Sequence, residues 1–230
     1  AVGPAPTKAD LGALVTKGES AAVIVVPGGM TSIQIAWTRP HDAAPDTFAK
    51  RRAGLIEDLG FLVLKRRVSA IASKADAPFI SADVGSQDLL DSAHVVLIAA
   101  NSEPDKWQAA LKAIDQEQRR IQEFGVAQAE IDREIREYRS ALQAAAAGAA
   151  TRMTTDIASM LARSVDDDQV FTSPAEDLSM FETMTNGVTA DEVNQALERA
   201  FSGNGPQVVL QADQSPEGGA DTVRQVYDAS

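Results

Sequence analysis

Two imidazoles are the only side chains in this sequence whose ordinary pKa lies near neutrality. His41 falls in a loop bounded by Pro40 and Pro45, and His94 falls in the apolar run Ala93 to Ala100. Neither has a second histidine or a carboxylate at the i+3 or i+4 helical spacing that a zinc site uses. His94 reads as a half-buried strand residue. Asp166-Asp167-Asp168 has the look of calcium ligands, but the alternating D-x-D-x-D-G spacing and the Glu at the twelfth position are missing, so the run reads as a solvated loop. Glu57 and Asp58 could form an acid/base pair, yet neighbours on a helix point in different directions and do not converge. Glu130, Glu134 and Glu137 sit with Arg133 and Arg136 at spacings that predict ion pairs along one exposed helix face.

Other chemistries are absent by motif. There is no Cys, which excludes disulfides, thiolate zinc sites and Cys nucleophiles. Val26-Pro27-Gly28-Gly29 belongs to no phosphate-binding glycine pattern, and no Ser sits in G-x-S-x-G. The residues alone mark out no active site.

The elements that would position these groups follow from periodicity. Thr31 to Thr38 alternates, with Ile33, Ile35 and Trp37 on one side, and predicts a strand ended by Arg39-Pro40. Asp46 to Lys74 predicts a long helix with Leu55, Leu59 and Leu62 on its apolar stripe and Arg51, Arg52, Lys65, Arg66 and Arg67 on its polar face. Phe79 to Val84 and Ala93 to Ala100 predict a hairpin across a polar turn from Gly85 to Ser92, with Ile80, Ala82 and Val84 sharing a face.

Helices then follow one another. Trp107, Leu111, Ile114 and Ile121 share one side of a helix opened by Pro104 and broken at Gly125. A second runs from Gln128 into the alanine tract, and a third holds Met153, Ile157, Met160 and Leu161. Ser173-Pro174-Ala175-Glu176 is a capped helix start, and the final helix begins near Thr189. Gln207 to Gln211 predicts a last strand. One local pattern recurs, Gly125-Val126 with Ile131 and Gly187-Val188 with Val193: a glycine ends one helix and a valine staples onto the next. Thr189 can cap the second copy; Ala127 cannot cap the first, which should weaken that end by ~1 kcal/mol.

Strands and helices do not alternate strictly. The fold class is therefore α+β, a mixed, mostly antiparallel sheet with helices stacked on one face. Residues 1–20 read as an extended lead-in, 21–212 as a single domain, and 213–230 as a polar, Gly-rich linker toward further chain. The start at Ala1 reads as a processed or excised form. With 44% hydrophobic residues among 230 a proper core can form, and no apolar run reaches membrane-spanning length. The net charge of -12 argues against nucleic acid and anionic membranes as partners.

In the order of its elements the chain resembles a domain of the pitrilysin/insulysin-type zinc metallopeptidases, the inverzincins. The residues that carry the resemblance are Trp37-Thr38-Arg39-Pro40, Leu55-Ile56-Glu57-Asp58-Leu59, the segment ADAPFISADVG at 75–85, AHVVLIAAN, and the paired turns at Gly125 and Gly187. The resemblance implies a fold built as one of several repeated domains, only one of which carries H-x-x-E-H and a downstream Glu for zinc. It implies that the helix from Asp46 to Lys74 is the counterpart of the zinc helix. Ala53, Gly54, Leu55, Ile56, Glu57 and Asp58 then stand in the matching region with no histidine. The helix at 128–148 would match the one that supplies the third ligand, leaving Glu130, Glu134 and Glu137 nothing to complete.

The implied role is an inactive structural domain, most similar to the second of such a peptidase. It would pack against the zinc-bearing domain and help enclose a peptide-binding chamber, with zinc in the parent enzyme and none in this chain. The implied partners are other domains or a subunit of the same peptidase, with peptide met indirectly. Two other readings stay open: part of a separate non-catalytic subunit, and an unrelated α+β ligand-binding module. A periplasmic setting is slightly favoured over a cytoplasmic one.

Overall fold

A computed structural model describes residues 12, 14 and 18–230. The lead-in expected at 1–20 lies largely outside the described residues. Five strands form one sheet: β1 (Ser20–Val25), β2 (Thr31–Arg39), β3 (Ser81–Leu89), β4 (Ala93–Ser102) and β5 (Asn204–Ala212), in the order β1-β5-β2-β4-β3. β1 runs parallel to β5, and the other three pairings are antiparallel. Seven helices accompany them: α1 (Phe48–Ala72), α2 (Trp107–Phe124), α3 (Gln128–Ala147), α4 (Thr154–Asp166), α5 (Pro174–Thr185), α6 (Ala190–Phe201) and α7 (Gly219–Asp228). The mixed, mostly antiparallel α+β fold read from the sequence is the observed one.

Register explains the core. Ile33, Ile35 and Trp37 of β2 stand opposite Ala100, Ile98 and Val96 of β4, and Leu210 and Val208 of β5 flank Ile33 and Ile35 on the other side. All of these side chains are buried on one face, and α1, α2 and α7 pack over that side of the sheet. In α1, Ile56, Leu59, Val63, Leu64 and Val68 supply the buried stripe. Gly60 lets α6 come close: a Cβ there would lie 2.7 Å from the Leu197 side chain.

The two repeated turns are built as expected and bonded to each other. Gly125 and Gly187 both take positive φ, 69° and 74°. The backbone N–H of Val126 donates to Asn194 Oδ1 at 2.8 Å, and Ala190 N–H donates to Gln128 Oε1, also at 2.8 Å. Thr189 and Glu192 complete a capping box, whereas at Ala127 only the Glu130 half of the box exists.

Four sequence expectations are corrected. The segment 213–230 is not a linker throughout: α7 folds back, and Val223 is fully buried with Val226 and Tyr227 packed at the core. The spacing i, i+3, i+4 of those three residues is the helical signal that the flanking glycines obscured. β1 was not foreseen, because its residue types do not alternate: Ala21 and Val23 pack at the core, yet Ala22, Ile24 and Val25 between and after them are apolar and exposed. β3 starts later than expected and runs through most of the expected turn, so that only residues 90–92 reverse the chain, with Leu90 and Asp91 at positive φ. Ile80 precedes the strand and is 61% exposed rather than sharing a face with Val84.

α4 is the exception to the packing. None of its residues is buried, and Met160, Leu161 and Val165 are exposed on it. No helix among the described residues is long and apolar enough to cross a membrane.

Candidate functional site

The first half of α1 faces a cleft of about 950 Å³. Its walls come from the loop after β2, the β3–β4 turn, α3, α5 and α6. Thr47 caps α1 by accepting from Lys50 N–H at 3.2 Å. Lys50 Nζ in turn donates to the carbonyl oxygens of Asp42 (2.6 Å) and Ala44 (2.8 Å), and Arg51 pairs with Asp46, so the loop is tied to the helix it starts.

At the floor, four elements meet in a charged relay. Arg39 ends β2 and is the register partner of His94 on β4. Arg39 Nη2 donates to both Glu57 oxygens at 2.8 and 2.9 Å. His94 Nε2 lies 3.2 Å from Glu57 Oε1, and its Nδ1 lies 2.8 Å from Asp88 Oδ1 on β3. An imidazole with a carboxylate at each nitrogen is best matched as an imidazolium donating twice. The hydrogen bond to Glu57 raises the His94 pKa above its ordinary value, with Asp88 adding to it against the cost of burial. Burial works against the Glu57 carboxylate, but the bond from His94 and the charge of Arg39 prevail and hold it below the usual range. Glu57 is thus a neutralised anchor. Its oxygens are engaged, which makes it a poor proton acceptor for any substrate.

The adjacent Asp58 differs. It also borders the cleft, and among the described residues it has no hydrogen bond or ion pair. Its side chain is exposed to the cleft, and the desolvation by protein packed close around it, with Glu57 beside it, raises its carboxyl above the ordinary value. The pair does not converge, as the sequence implied, but each member reaches the same cleft from a different side. One turn earlier a Cβ added at Gly54 would meet nothing within 4 Å, so the helix leaves open room there.

The wall opposite is formed by α3 and α5. Tyr138 stacks on Phe181 with centroids 5.0 Å apart, and Leu142, Met180 and Met184 extend that apolar surface. The three glutamates of α3 do not reach the cleft and do not pair along their own helix as expected. Glu134 is buried and, with Glu137, holds Arg66 of α1; Glu130 holds Arg67. Of the polar face expected on α1, Arg66 and Arg67 turn toward α3, whose glutamates satisfy them across the helix contact, while Arg51 pairs with Asp46, Arg52 with Glu192 of α6 and Lys65 with Asp83 of β3.

His41 sits beside the relay, with Nδ1 3.6 Å from Asp88 Oδ2 and Nε2 3.9 Å from Asp91 Oδ1. Asp167 and Asp168 lie at the cleft mouth, in the solvated position expected of them. Among the described residues no three His, Cys, Asp or Glu side chains are grouped so as to hold a metal ion. Helical spacing missed the relay because its members lie on four separate elements. The available signal was an acidic residue, Glu57, directly beside the buried Ile56 on an apolar stripe: such a group calls for a cation from elsewhere in the fold.

Neither a family model nor a curated protein matches the sequence. Solved structures do. A predicted insulinase family protease from Yersinia pestis superposes with TM-score 0.76 at 18% identity, over 93% of this chain and 46% of that one. The first half of the periplasmic protease PqqL from Escherichia coli gives 0.79 at 15% identity, over 99% and 51%. A peptidase M16 inactive domain from Pseudomonas fluorescens gives 0.64 at 18%, over 93% and 48%. This chain therefore spans about half of each of those chains, and only 26% of the longer PqqL chain. Identities this low speak for architecture alone, and what they establish is that the chain has the fold of an insulinase-type M16 peptidase domain.

Proposed function

We propose that the chain is a non-catalytic domain of a multidomain zinc metallopeptidase. It packs against a zinc-bearing domain of the same fold and helps enclose a peptide-binding chamber. One observation carries this reading. If Glu57 is set at the glutamate of H-x-x-E-H, Gly54 and Asp58 occupy the two imidazole positions, and Tyr138 and Leu142 are the α3 residues at the cleft. A glycine offers no ligand, and the glutamate that would activate water is occupied by Arg39 and His94. This donor set does not fit catalytic zinc, which needs three protein ligands and an open position. The metal belongs to the companion domain.

The uncovered apolar side of α4 supports packing against a companion, since a lone 13-residue helix is marginal in water. The E. coli neighbour is described as periplasmic, which favours that compartment here. A separate non-catalytic subunit is the second form of the same reading, and H-x-x-E-H on the same polypeptide separates the two.

Elemental analysis and peptide hydrolysis by the purified chain test the proposal. No stoichiometric zinc and no chelator-sensitive cleavage are expected. One tightly held zinc per chain, lost when His41 or His94 is replaced, would sink it.

A further inference from the structure

We propose that the cleft over α1 binds a polypeptide segment through a lysine or arginine side chain, whose cation meets Asp58 and whose alkyl stem lies along Tyr138 and Leu142. The size suits a short segment: about 950 Å³ is large for one side chain and near the top of the ~300–1,000 Å³ range of ligand clefts. The lining is two-sided. Leu55, Tyr138, Leu142, Met180, Phe181 and Met184 form an apolar wall, and such walls take up the methylene stems of long cationic residues.

The charge balance selects the cation. Arg39, Lys50 and Arg51 border the cleft, but Glu57, the Asp42 region and Asp46 already hold them. The charges acting on Asp58 are Glu57 and His94, which oppose each other, and the lining cation Arg199 is not among them. Asp58 is thus an accessible carboxylate beside an apolar wall, with no hydrogen bond or ion pair among the described residues. A guanidinium or ammonium arriving there gains a charge-assisted hydrogen bond to a carboxylate that no protein donor already holds. The net charge of -12 draws cationic segments toward the molecule.

Calorimetric titration of the whole chain at low salt tests this with capped pentapeptides, Ala-Ala-Arg-Ala-Ala and its glutamate analogue, and with agmatine as a free guanidinium. The arginine peptide should bind and the glutamate peptide should not. Asp58→Asn should weaken the arginine peptide by about tenfold or more, and Asp83→Asn, which alters a carboxylate outside the cleft, should not. Asp58 has no described partner to lose, so the variant should fold, with circular dichroism as the check. Agmatine binding as tightly as the peptide overturns the polypeptide part. Equal binding of both peptides, no binding of the arginine peptide, or indifference to Asp58→Asn overturns the site. The result is independent of zinc content, so either proposal can fail alone.

Discussion

The α1/α3 pair is built differently at its two ends. At one end Arg66 and Arg67 meet Glu134, Glu137 and Glu130, and every charge has a partner. At the other end the helices part around Gly54, Asp58, Tyr138 and Leu142, leaving room and an unpaired carboxylate. The same two helices thus close the fold at one end and leave a usable surface at the other. Stability and chemistry are separated along a single helix contact.

The sharpest way to break the contrast is Glu134→Ala. Losing one partner of a buried pair costs ~3–5 kcal/mol, but Arg66 is 39% exposed and keeps Glu137, so about 2 kcal/mol is expected. Thermal unfolding should move down by roughly 4–8 °C for a chain of this size. An unchanged midpoint would mean that the closed end is not structural.

His94 lies where the relay meets the open end. Its pKa is raised by folding, so its stabilisation is complete below the unfolded value and fades as pH rises through the folded one. Unfolding by urea should show wild-type stability falling as pH passes above the His94 folded pKa. His94→Gln should flatten that decline; an identical slope in both proteins would remove His94 from the account.

Smaller effects are expected at the open end, and they should have the opposite sign. Asp58→Asn removes an unpaired charge whose carboxyl pKa is raised, so above the ordinary Asp range it should gain a little stability, limited by solvent screening of the exposed group. Gly54→Ala fills open space inside a helix and should gain about 0.5 kcal/mol. Losses at these two positions would mean that the open end carries hidden packing.

The sequence disclosed what local patterns encode. Alternation in β2, the capping box at Ser173 and the glycine turns at Gly125 and Gly187 stand where periodicity and cap chemistry put them. It concealed what depends on neighbours. Arg66 and Arg67 read only as part of the polar face of α1 until α3 was laid across them. Edge strand β1 is apolar on both faces in sequence, so no alternation marks it, and β3 continues past its alternating residues into the polar stretch 85–89 that read as a turn. The cleft was not foreseen, because its walls come from residues more than a hundred positions apart.

The pairing of β1 with β5 and the docking of α7 on β1 bring the two extremities of the folded unit side by side. Arg224 Nη2 reaches Glu19 Oε2 at 2.6 Å, across 205 positions of sequence. Entrance and exit therefore share one corner, so the unit can be strung with like units as beads without threading. Rejoining those ends and opening a surface loop is a permutation this topology accommodates.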